Sequence, residues 1–165
     1  MARIEPVLNT IEDALVAALQ NIRASQNSDY WYDVRKILTE AYGVDEYAIP
    51  KAHLPAIIVE NIPPQTPRNT VGGSQTISGV LIYQLTGIMR NDSSDKTRPR
   101  KEMSRLVQDI HRALTADRSL GVSRVSRLTF PTEPVLDTGA LTAESDRMVF
   151  RYVVQIAYSF DESLP

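Results

Sequence analysis

The chain has 165 residues, 42% hydrophobic and 23% charged, a composition that suits one globular domain and not a disordered segment. A formal charge of -2 and a pI near 5.7 argue against a general nucleic-acid binder, which is normally basic. With no cysteine, disulfides, thiolate metal sites and thiol catalysis are excluded together, and a reducing compartment is the natural fit.

Ile4, Val7, Leu8, Ile11, Leu15, Leu19 and Ile22 recur at three- and four-residue spacing, which predicts an amphipathic helix over residues 3–23. Pro6 fits its first turn, where no N–H is needed. Glu5, Glu12 and Asp13 break the apolar pattern, so this stretch is no secretory leader, and no run of ~18 apolar residues follows to span a bilayer. The expectation is a soluble protein that stays where it is made. "SQNSD" (25–29) stops the helix. Tyr30, Trp31 and Tyr32, followed by Val34 and Ile37, favour a strand over 30–40. The aromatic triplet reads first as packing, and second as a stacking platform for bases or sugars.

Residues 41–53 are a loop by their Gly, Pro and acid content, and "LPAIIVEN" (54–61) is a short buried strand. The next stretch, 62–75, holds Pro63, Pro64, Pro67 and the Gly72-Gly73 pair and is expected to contain no regular structure. Its length marks a functional loop. Gly72-Gly73-Ser74 lacks the lysine and spacing of a phosphate loop. "TISGVLIYQLTGIMR" (76–90) is a long strand with Leu81, Tyr83, Leu85 and Met89 on one face and Val80, Ile82 and Ile88 on the other. Met103, Leu106, Val107, Ile110, Ala113 and Leu114 predict a second helix over 98–116, closed by a turn with Gly121 at its end. Residues 122–130 alternate as a strand, and 131–145 form a second Pro- and Gly-bearing excursion.

The last strand poses a question. In "MVFRYVVQIAYS" (148–159) the even positions are all apolar, yet the odd ones run Val149, Arg151, Val153, Gln155, Ala157, Ser159. Half-apolar and carrying arginine, that second face must be covered in part by this chain or by another molecule. The order α-β-β-β-α-β-β defines an α+β domain over residues 1–165, with a mixed, mostly antiparallel sheet and both helices on one face.

Chemistry is sparse. His53 and His111 stand apart, without the cluster a metal site needs. The acid pairs Glu12/Asp13, Asp45/Glu46, Asp92/Asp95 and Asp161/Glu162 lie on predicted helix exteriors or loops, and none points to an acid in an apolar pocket. No serine stands in a Gly-x-Ser-x-Gly elbow. The basic run Arg98, Arg100, Lys101, Arg105 is interleaved with acids and has no aromatic beside it in sequence, which weakens a nucleic-acid reading. No catalytic residue, cofactor or metal is expected. Charge is uneven, with nine acidic and five basic residues over 1–60 against five and ten over 90–127. That asymmetry fits head-to-tail contacts between copies.

The N-terminal helix, the aromatic stretch, "LPAIIVEN", "LVQDIHRALTADRSLG" (106–121) and the closing "FRYVVQIAYSFDE" (150–162) together resemble the tail terminator (tail completion) proteins of tailed bacteriophages. Leu106, Asp109, Ile110, Leu114, Asp117, Leu120, Gly121 and Tyr158 carry the likeness, and Val122 departs from it where many of those proteins have a second glycine. The resemblance implies a structural virion protein made in the host cytoplasm. It would form a hexameric ring at the head-proximal end of the tail, with no membrane contact. Its partners would be its own copies, the tail tube protein, a neck or connector protein, and sheath protein in a contractile tail. Genomic DNA would pass the lumen without specific binding. Arg98, Arg100, Lys101 and Arg105 are then expected to meet Asp45 and Glu46 of a neighbour, with Arg147 and Arg151 also at subunit contacts or in the lumen. Ile62, Pro63, Pro64, Arg68, Val71, Gly72 and Gly73 are expected to touch tube or neck, in a loop that orders on contact. A head-closure or neck adaptor is the nearer alternative; a small-ligand module or enzyme on an α+β scaffold is the more distant one.

Overall fold

The computed structural model describes residues 6–39, 48–63, 69–70, 76–91, 98–136 and 146–161. The first helix, α1 (Val7–Gln20), is shorter than the expected 3–23; it buries Val7, Ile11, Leu15 and Leu19 of the predicted stripe, while Leu8 is half-exposed, Ile22 is buried just past its end and Ile4 lies outside the described residues. Pro6 stands one residue outside it, at the N-cap with extended backbone, and not inside the first turn. The second helix, α2 (Arg98–Thr115), buries Met103, Leu106, Ile110, Ala113 and Leu114. Neither of these helices is long and apolar enough to cross a membrane.

The strands are β1 (Lys36–Thr39), β2 (Ala56–Ile62), β3 (Asn69–Thr70), β4 (Thr76–Arg90), β5 (Val125–Thr129), β6 (Val135–Leu136) and β7 (Arg147–Asp161). They form one sheet in the order β1-β2-β4-β7-β5, with β3 beside β4 and β6 beside β7. Only the β1–β2 pair is parallel, so the class is α+β with a mixed, mostly antiparallel sheet. A parallel pair requires a crossover. Within it lies a 3-10 turn (Lys51–His53). At the centre, β4 and β7 pair along their whole length, from Thr76 opposite Asp161 to Arg90 opposite Arg147.

Three expectations about strands need correcting. The strand expected over 30–40 is confined to β1. Its first half has other partners: the Ala24 N–H donates to the Tyr32 carbonyl, and the Val34 N–H to the Ile22 carbonyl, both at 3.0 Å. Backbone groups satisfied in this way are not available to a ladder. Next, neither long excursion is wholly irregular. Asn69 and Thr70 pair with Ser78 and Ile77, and Val135 and Leu136 pair with Arg151 and Phe150. Last, β5 does not alternate strictly. A register shift between Val125 and Arg127 inserts one residue, so Val125 and Leu128, three apart, both face the core.

Both helices pack on one face of the sheet. There α1 and α2 meet Ile57 and Val59 of β2, Leu81, Tyr83, Leu85 and Met89 of β4, and every even position of β7 from Met148 to Tyr158. Two glycines of β4 make room for aromatic rings of β7. A Cβ at Gly87 would stand 2.2 Å from the Phe150 ring, and one at Gly79 2.6 Å from the Tyr158 hydroxyl. Each ring lies over the glycine directly opposite it in the ladder. Side chains there would force the strands apart.

Among the described residues, the other face is closed at one end only. Ile49 and Leu54, from the crossover, pack on Ala56, Ile58, Ile88 and Val149. A Lys51–Asp146 ion pair at 2.5 Å ties the 3-10 turn to the residue before β7. The Lys51 ammonium, the largest influence on Asp146, holds that carboxyl below its ordinary range. The odd positions of β7 thus have two environments: Val149 is buried by this chain, whereas Arg151, Val153, Gln155 and Ala157 are half-exposed.

Candidate interaction site

Pleating fixes what the open part of the sheet presents, because alternate residues share a face. On it β2 shows Glu60 and Ile62, β4 shows Val80, Ile82 and Gln84, and β7 shows Arg151, Val153, Gln155 and Ala157. Ile62 lies opposite Ile82, and Glu60 opposite Gln84, whose amide donates to the Glu60 carboxylate at 3.2 Å. Val135 of β6 adds a further apolar side chain beside Arg151. Ile62, Val80 and Val135 are among the few large apolar residues that stand exposed.

A second surface is built on α2. Asp109 lies between Leu106 and Ile110 in the apolar stripe and is 0% exposed. Its carboxylate accepts the Trp31 N–H at 2.9 Å and the Tyr32 N–H at 3.0 Å. Burial, the dominant influence, pushes this carboxyl up, and the two backbone donors oppose the shift. Two turns earlier, Glu102 accepts the Tyr32 hydroxyl and the Arg105 guanidinium, the latter at 3.1 Å. Burial and the Glu102 carboxylate together push the Tyr32 phenol far above its usual range. Arg105 lies 4.5 Å over the Trp31 ring, and Arg112 donates to the Asp29 carbonyl. Tyr30 and Tyr32 turn to the core, while Trp31 stays outside.

The basic run therefore does have an aromatic beside it, contrary to the reading from sequence. Trp31 reaches Arg105 through the fold, not along the chain. Asp109 was missed as a buried acid, although its place inside the stripe Leu106–Ile110 was the available signal.

The predicted site residues divide. Arg100 and Lys101 are exposed on α2, and Arg105 is half-buried against Glu102 and Trp31. Arg151 lies on the open sheet face. Arg147 is only 7% exposed and 3.5 Å from Asp146, so the fold already encloses it and leaves it little surface to offer a neighbour. Ile62 and Pro63 are exposed at the end of β2. Asp45, Glu46, Pro64, Arg68, Val71, Gly72 and Gly73 lie outside the described residues, as does the Arg98 side chain.

Two further features adjoin α2, of which the sequence sketched only the turn. Asp117 organises the turn after α2: its carboxylate accepts the Ser119 hydroxyl at 2.6 Å and the Gly121 N–H at 2.8 Å. Leu120 and Gly121 are both left-handed there, at φ 54° and 71°. His111 stacks on Phe130 at 4.1 Å, and Phe130 on Tyr152 at 5.1 Å. Beside this stack a cleft of about 620 Å³ runs between α2 and Glu133–Pro134, with Ser104, His111, Arg112 and Tyr152 on its walls. No three His, Asp or Glu side chains gather at metal-binding distance among the described residues.

No family model matches this chain, and no curated protein matches it.

Proposed function

We propose that this protein is a structural component of a bacteriophage tail. It forms a ring on the head-proximal end of the tail tube, ends tube polymerisation and joins the tail to the neck. The observation that carries the reading is the open sheet face, a broad surface where Ile62, Val80, Ile82 and Val153 alternate with charged and amide side chains. Apolar surface of this kind, rimmed by polar groups, marks a place where another macromolecule docks. A ring also needs a second, different surface on each copy, and the α2 side supplies a candidate in Arg100, Lys101 and Arg105. The resemblance carried by residues 106–121 and 150–162 names the particular assembly. Pro63, with the residues that follow it, remains the proposed contact to tube or neck.

The test is assembly. Native mass in solution and negative-stain imaging should reveal closed rings, and the rings should halt growth of purified tube protein in vitro. Rings that leave tube growth unchanged but bind portal-side proteins would favour the neck adaptor. The cleft beside His111 favours a second reading, a small-ligand module, because Ser104, Arg112, Glu133 and Tyr152 converge on it. A monomer whose melting temperature rises with a small polar ligand, and falls back in a Tyr152→Phe or Arg112→Ala variant, would decide for that reading.

A further inference from the structure

Among the described residues, four large apolar side chains stand well exposed, and they lie on two sides of the sheet. Ile62 at 37%, Val80 at 38% and Val135 at 65% are on the open face, whereas Trp31 at 54% is held on the helix side. Trp31 is not loosely placed. Its backbone and that of Tyr32 are fixed by the fully buried Asp109, and its ring is overlaid by Arg105, itself tethered to Glu102. A side chain that has already lost its freedom costs less to dock. Trp and Arg are also the side chains that most often dominate the energetics of an interface.

We infer that the Trp31–Arg105 platform of one copy docks on the Ile62–Ile82–Val80 strip of the next, joining copies of this chain head to tail. The inference rests on the self-assembly part of the function proposed above and assigns its contact. Charge decides the occupant. The platform is rimmed by Lys101, Arg105 and Arg112, so two platforms facing each other would oppose like charges. Among the described residues, the strip has Glu60 in the neighbouring row of the ladder and no cation on β2 or β4 between Ile88 and Val80, while Arg127 and Arg151 of that face stand one or two strands away from it. Because platform and strip lie on opposite sides of the sheet, the contact is heterologous and repeats until a ring closes.

Trp31 is the only tryptophan in the chain, so its emission reads the contact directly. As concentration rises, native mass should increase in step with a blue shift of the emission and loss of iodide quenching. Trp31→Ala and Val80→Glu, checked for parental circular dichroism, should each weaken self-association at least tenfold. Arg105→Gln, which spares the indole, should weaken it in the same direction. Mixed, the two defective variants should give a 1:1 dimer and nothing larger, since one intact platform meets one intact strip. Closed oligomers with Trp31 still quenched by iodide, unaffected by either variant, would overturn this contact and leave the ring reading standing. Open filaments with Trp31 buried would uphold the contact and overturn the ring. A chain monomeric up to millimolar concentration would overturn both. A dT oligonucleotide that quenches Trp31 of the monomer, less so at high salt, would assign the platform to single-stranded nucleic acid and overturn the proposal.

Discussion

Strands β4 and β7 present two faces built from alternate residues of one ladder, yet the faces differ in what closes them. One is sealed by two helices, with Phe150 and Tyr158 lying over Gly87 and Gly79 so closely that a methyl group would not fit. The other is sealed at one end by Ile49 and Leu54 and, among the described residues, left open beyond them. Alternation alone cannot tell the closed end of that face from its open part, because Val149 and Val153 are the same residue type on the same side. What differs is whether another segment of chain passes over them.

Substitutions that pit one face against the other should separate sharply. Leu106→Asp places a charge where two helices and the sheet meet, at a cost of at least several kcal/mol. The expected outcome is an insoluble or unfolded chain, and a soluble variant with native far-UV circular dichroism would contradict the packing. Gly87→Ala should cost about 3 kcal/mol by overpacking against Phe150. Chemical denaturation measures this, and adding Phe150→Leu to the same chain should recover much of the loss.

Within the other face, Val149→Ala removes buried methyl groups and should cost about 2 kcal/mol. Val153→Ala, a short way along the same strand, should stay within about 0.5 kcal/mol in the monomer. Equal losses at the two positions would mean that the open part is covered by the chain itself.

Apart from the near-neutral Val153→Ala, the smallest expected effect is that of Asp109→Asn, about 1 kcal/mol near neutral pH. Its pH dependence is the sharper reading. Burial raises the native carboxyl above its ordinary 3.8, so the native state holds this proton more tightly than the unfolded one. The stability of the parent relative to Asp109→Asn should therefore be greatest below pH 3.8 and fall as pH rises through the native titration. Thermal melts of both proteins across that range test the sign, and a difference that grows with pH would contradict it.

Much of the core face was legible in advance. The stripes of α1 and α2 and the alternation of β4 and β7 are local patterns, and burial follows them at most positions, Leu8 and Val107 being only half-buried. Other features depend on segments remote in sequence. The Trp31–Asp109 bond joins residues 78 apart, and it diverts 30–34 from the strand their aromatic content favoured. The bulge in β5 did leave a trace, since Val125-Ser126-Arg127-Leu128 puts two polar residues between two apolar ones, but only the partner strand shows that the extra residue is a register shift. For the interaction surfaces, Arg105 and Trp31 could each be singled out, but their stacking could not. Composition made residues 62–75 and 131–145 look irregular because Pro and Gly discourage strands; two short pairings form there because β4 and β7 extend beyond their other neighbours.

The central pair has a consequence for how the chain comes to be folded. Strands β4 and β7 are neighbours over 15 residues each, but residues 91–146 separate them in sequence. During synthesis β2 and β4 can pair early, while the opposite edge of β4 waits for the whole of α2, β5 and β6 to be made. Until then Thr76–Arg90 presents a long row of unpaired backbone groups flanked by apolar side chains, a template for any other extended strand. Long-range pairing of this kind is slow to form. A crowded ribosome, where several copies reach that stage side by side, is thus where this protein is most exposed to aggregation, and where a chaperone that shields one strand edge would raise its yield.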